Sequence, residues 1–171
     1  MKSFIIAIIV VIDLIIETTL LPFVEVMGVK PNMLLTLIAA FAFMDDRLAA
    51  VSVAIAGGLL QDIIFADIVG PTALLHLAFA YGFIVLRDKV AVDRVIMPAI
   101  MTFDAAVVYN VFMAAMFALS RLEVSLRGLL TLSIFNGLYT AAAGVIVYNI
   151  LHWLYRKYSF MNKQSIFSKE K

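Results

Sequence analysis

Cysteine is absent from this 171-residue chain. That excludes a disulfide framework and any thiolate metal site, and it leaves the redox compartment unreadable. Charge is also scarce, at 15% against about 25% in soluble domains. What charge there is balances, 13 basic residues against 12 acidic for a net +1, so a nucleic-acid binder, which needs a basic surface, is excluded. No low-complexity block and no internal repeat interrupts the sequence. What fills the space is apolar: 64% hydrophobic residues and a mean hydropathy of +1.06. Disorder cannot be sustained at that hydrophobicity. Nor can a larger soluble core absorb it, because a chain this short must leave much of its surface in water. An integral membrane protein remains.

Length bounds the number of spans. Six helices of about 20 residues use about 120 residues and leave about 50 for connectors and tails. The apolar runs supply six: residues 4–21, 31–44, 48–65, 71–86, 95–119 and 129–154. The first is too long for a signal-peptide core, carries Asp13 and Glu17, and lacks a small-residue cleavage site, so it reads as a retained span. The second covers about 21 Å, short of the ~30 Å hydrocarbon core. It needs its flanks, little tilt, or a thinned or protein-lined surrounding. The expected architecture is therefore all-α: one six-span membrane bundle over residues 1–155, then a short basic tail, 156–171.

Basic residues near helix ends set the orientation. With six spans, Lys2, Arg47, Arg87, Lys89, Arg94, Arg156, Lys157, Lys163, Lys169 and Lys171 fall on one side, and Lys30, Arg121 and Arg127 on the other. The imbalance predicts cytoplasmic termini. The tail, with Trp153, Tyr155 and Tyr158 beside its basic residues, reads as positive-inside anchoring; anionic lipid or a cytoplasmic partner is the alternative.

Ionisable groups in hydrocarbon need a partner, a cavity or a role. Asp13 and Glu17 share a face of the first helix at i, i+4. Either they turn into the bundle and are satisfied there, or they bind a ligand. On the third helix Ala50, Ala54, Gly58 and Asp62 recur every four residues, and Gly57 widens the smooth stripe. Small residues at this spacing let another helix approach closely. Asp62, near the Gly70-Pro71 turn, would accept hydrogen bonds from a neighbouring helix terminus or loop, or else line an outward cavity. His76 lies at a similar depth to Asp62 and Glu17. A single buried histidine without i, i+4 histidine spacing favours a satisfied core residue over a metal ligand. Asp104, Tyr109 and Asn110 on the fifth helix, with Asn136 and Tyr139 on the sixth, extend the expected polar interior. Ser52 and Ser133 have no recognisable His-carboxylate set, and no phosphate loop or HExxH motif occurs, so no enzyme, metal or cofactor is expected.

Residues 30–90 carry an ordered pattern: KPN opening the second helix, Arg47, then GGLLQDIIFADIVGPTALLHLAFAY. This resembles the MreD family of rod shape-determining proteins. The family's proline-led helix, basic turn, Gly-Leu-x-x-Asp element, glycine turn and aromatic-containing helix fall on Pro31, Arg47, Gly58, Asp62, Gly70 and Tyr81. Gln61 departs from the pattern, where an apolar residue is usual, as does the acidic inner end of the second helix. The resemblance implies a bacterial inner-membrane scaffold of the elongation machinery. It would pair with the bitopic protein MreC, linking actin-like MreB filaments to the glycosyltransferase RodA and its transpeptidase partner. The stripe Ala50, Ala54, Gly57, Gly58, Asp62 with Gly70 would then be a docking or packing surface. The family's fold is also similar to the substrate-binding S components of energy-coupling-factor vitamin transporters. That supplies the alternative, in which Glu17, Asp62, His76 and Asn136 surround an outward pocket.

Overall fold

The computed structural model describes residues 2–26, 28–44, 46–65, 69–89, 96–119 and 126–167. Of the basic residues in the orientation argument, Arg94, Arg121, Lys169 and Lys171 lie outside the described residues. Six α-helices follow one another: α1 (Lys2–Ile15), α2 (Met33–Phe43), α3 (Arg47–Phe65), α4 (Pro71–Lys89), α5 (Ile96–Leu119) and α6 (Leu126–Phe167).

Helix α1 does not end cleanly. It passes into one wide π turn, Ile16–Leu20, and then a 3-10 turn, Leu21–Phe23. Pro22 has no N–H to continue the α ladder, and the Thr18 hydroxyl bonds back to the Leu14 carbonyl at 2.8 Å. Both loosen the regular turn, and wide turns of this kind occur often at functional sites. The apolar segment nonetheless runs on through Phe4–Phe23, long enough to cross a membrane.

The short second run has found a protein-lined surrounding. Helix α2 has 11 residues, about 16 Å of rise, and every residue from Leu34 to Ala42 is buried. It lies against α3, α4, α5 and α6. Asn32 starts it, its side chain accepting from the Leu35 N–H at 2.9 Å, while its own N–H donates to Thr140 Oγ1 at 3.1 Å. At the other end Arg87 Nη1 reaches the Ala42 carbonyl at 3.4 Å, placing a cation at the negative pole of the helix. Leu34, Leu35 and Ile38 of α2, with Val10 and Val53, form the centre of the core.

Phe4–Phe23, Arg47–Phe65, Ile96–Met116 and Gly128–Leu154 are long and apolar enough to cross a membrane, and Met33–Phe43 and Pro71–Arg87 are shorter apolar helices. The outer surface is apolar as well: Phe4, Ile63, Leu74, Leu130 and Ile146 are each more than half exposed. Such a surface is matched to lipid rather than water. The fold is a helical membrane bundle. The backbone of α6 continues as helix past residue 155, to Phe167.

Candidate functional site

The stripe on α3 is where the fold is tightest. Ala50, Ala54, Gly58 and Asp62 are all buried, against α2 and α4 of the same chain. At Gly58 the first turn of α4 sits so close that an added methyl would lie 2.6 Å from Ala73 Cα. At Gly57 the obstacle would be the Leu34 side chain from α2. The stripe is therefore an internal helix crossing, with α2 and α4 of the chain itself lying against it.

One turn beyond Gly58, Asp62 completes the crossing. Its Oδ2 accepts from the Gly70 N–H at 2.8 Å and from the Ala73 N–H at 3.2 Å. A helix N-terminus leaves N–H groups without intrahelical partners, and the residue before the helix usually supplies an oxygen for one of them. Here that residue is Gly70, which has no side chain; its φ of +122° suits glycine alone. Asp62 provides the missing oxygen from outside, and Pro71 occupies the first position, where a lost N–H costs nothing.

Around this crossing a buried polar cluster assembles from four parts of the chain. The π turn of the first span presents Glu17, whose Oε2 accepts from Gln61 Nε2 at 2.6 Å. Gln61 was set aside in the sequence as a departure; it is the partner that makes the buried Glu17 tenable. Asp13, one turn earlier, is also buried. From α4, fully buried His76 places Nδ1 2.9 Å from the Thr72 carbonyl; a carbonyl only accepts, so Nδ1 carries the hydrogen. Tyr109 of α5 places its ring 5.5 Å from that of His76, tilted by 46°. Gln61 Oε1, Asp62 Oδ1 and His76 Nε2 remain buried without a hydrogen-bond partner among the described residues. With Nδ1 protonated, a neutral His76 offers a lone pair at Nε2, so these three atoms are acceptors. The cluster suits hydrogen-bond donors such as water.

The other expected polar residues separate. Asn136 and Tyr139 do not join the cluster. They fasten the connector between α1 and α2, Asn136 Nδ2 donating to the Lys30 carbonyl at 2.8 Å and Tyr139 Oη to the Val24 carbonyl at 2.8 Å. Asp104 is a correction. It was expected in the polar interior, but its side chain is exposed on the outside of α5. The helical phase decides this, because Thr102, Ala105 and Ala106 take the buried side. Ser52 faces outward and Ser133 is buried on α6. Among the described residues no group of three or more His, Cys, Asp or Glu is placed to hold a metal ion.

Two features carried only a weak sequence signal. Gly137 of α6 packs against Phe103, and Gly144 against Thr102, setting the crossing of α5 and α6. Their seven-residue separation could have been noticed as a small-residue spacing, but neither ends in a polar group to draw attention.

Comparison with curated proteins and with solved structures gives no match. The sequence profile of the family described as rod shape-determining protein MreD matches residues 1–158. That match takes in α1 to α5 whole and α6 as far as residue 158, nearly all of the chain. The chain belongs to the MreD family of rod shape-determining membrane proteins.

Proposed function

We propose that this chain is a non-enzymatic scaffold of the cell-elongation complex in a bacterial inner membrane. It binds an MreC-like bitopic protein and through it helps couple MreB filaments to RodA and its transpeptidase partner. The family match over residues 1–158 carries this reading. The interior supports it, because the buried carboxylates are used to hold the bundle together: Asp62 caps α4, and Glu17 joins the first span to α3. A bundle fixed in this way presents its outward helix faces at constant orientation, which is what a scaffold requires. The distribution of basic residues supports a cytoplasmic location for both termini.

The alternative, a vitamin-transporter S component, draws support from the gathering of Glu17, Asp62 and His76. Its fourth residue, Asn136, is engaged elsewhere, on Lys30. Affinity purification of the tagged chain from native membranes separates the two readings. A single-pass MreC-like protein recovered at near-equal amounts is the expected result. An ATPase pair with a coupling membrane subunit would overturn the scaffold. Reporters fused to each terminus test the orientation, and opposite compartments would refute it.

A further inference from the structure

Asp104 occupies a place where a carboxylate is hard to explain in an isolated chain. It follows the start of α5 at Ile96 by eight residues, about 12 Å along the axis, and so lies well within the hydrocarbon of a spanning helix. Its side chain points away from the bundle, in an exposed stripe formed with Ile100, Val108, Val111, Ala115 and Ala118. No described side chain bonds to it. Apart from Asp104 the stripe is apolar and ends in two alanines, small residues over which another helix can pass closely. Ionisable groups within membranes normally face the bundle interior or a partner. Asp13, Glu17 and Asp62 in this chain follow that rule; Asp104 does not.

Charge complementarity identifies what covers it. The segments Phe4–Phe23, Met33–Phe43, Ile96–Met116 and Gly128–Leu154 contain no lysine or arginine. In Arg47–Phe65 and Pro71–Arg87 the arginine is the terminal residue. A second copy therefore brings no fixed cation to the depth of Asp104. We propose that the outward face of α5 around Asp104 receives a membrane-spanning helix of another protein, carrying a lysine or arginine at the matching depth. The inference rests on the scaffold reading for the existence of a protein partner, and its test uses a defined probe so that the two can fail separately.

The absence of cysteine makes the test clean. The full chain, with Lys89→Cys carrying a donor fluorophore away from the stripe, is reconstituted in phosphatidylcholine vesicles. It is titrated with acceptor-labelled, leucine-rich single-span peptides, one bearing an arginine at the depth of Asp104 and one with leucine there. The arginine peptide should reach half-maximal energy transfer at an about tenfold lower peptide-to-lipid ratio, the effect of one interhelical polar contact in a membrane. Asp104→Asn and Asp104→Leu should each remove that preference. Because Asp104 is exposed and no described side chain bonds to it, both variants should fold, as checked by their elution in detergent. Equal transfer for the two peptides, or a preference that survives Asp104→Asn, overturns the proposal. So does Asp104-dependent transfer between copies of the chain in the absence of peptide, which would make the occupant a second copy.

Discussion

Asp62 of α3 caps α4 through Ala73: its Oδ2 lies 3.2 Å from the Ala73 N–H and also accepts from Gly70 at 2.8 Å. Asp62→Ala leaves these two donors, one part-buried and one buried, without their acceptor. A loss of about 3 kcal/mol is expected, in line with removing charge-assisted hydrogen bonds from a buried site. Asp62→Asn keeps an acceptor oxygen and should cost about 1 kcal/mol. Reversible unfolding of the purified chain in mixed micelles measures both. An alanine variant as stable as wild type would show that the α4 terminus does not depend on this oxygen.

Gly58 and Gly82 form a matched pair. A methyl at Gly58 would meet Ala73 Cα at 2.6 Å, whereas a methyl at Gly82 meets nothing within 4 Å. Gly58→Ala should therefore cost about 1–3 kcal/mol, as overpacking does. Gly82→Ala, inside α4, should be neutral or stabilise by up to about 1 kcal/mol. Equal effects at the two positions would mean that the α3–α4 crossing is looser than the structure has it.

These two sites mark what was legible in the sequence. The four-residue spacing of Ala50, Ala54, Gly58 and Asp62 announced a close crossing, since only small residues permit one. The Gly70-Pro71 pair announced the helix start that Asp62 serves. Which surface the stripe meets was not legible, because spacing describes one helix and says nothing of its neighbour. The inward or outward phase of Asp104 was hidden for a related reason. Helix α5 is apolar all round, so hydrophobicity does not tell its buried side from its lipid side. The role of Gln61 was not legible because it depends on Glu17, which lies 44 residues away in sequence.

Glu17 and Gln61 should behave as a coupled pair. Gln61→Leu alone leaves the Glu17 carboxyl group buried without its donor, and Glu17→Leu alone leaves the Gln61 amide unpaired. Each single change should destabilise by about 2 kcal/mol. The double Leu variant replaces both partners by apolar groups and should cost less than the sum of the two, with a coupling of about 1–2 kcal/mol. A double-mutant cycle from the same unfolding measurement checks this, and strictly additive losses would argue against the hydrogen bond.

The connector between α1 and α2 should loosen without the bundle doing so. Its Val26–Val29 turn is closed by paired backbone hydrogen bonds of 3.0 Å. Among the described residues, the connector is tied to α6 by two exposed side-chain contacts, Asn136 to Lys30 and Tyr139 to Val24. Because water can replace either partner, each contact is worth about 1 kcal/mol, close to a fivefold change in local opening. Asn136→Ala and Tyr139→Phe should therefore speed hydrogen exchange of the connector amides by about fivefold each, and by more when combined. Exchange in α2 should change little, because Asn32 still caps that helix and its own N–H still donates to Thr140. If exchange in α2 rises as much as in the connector, the two polar contacts hold the core helix itself, and the separation between latch and bundle drawn above is wrong.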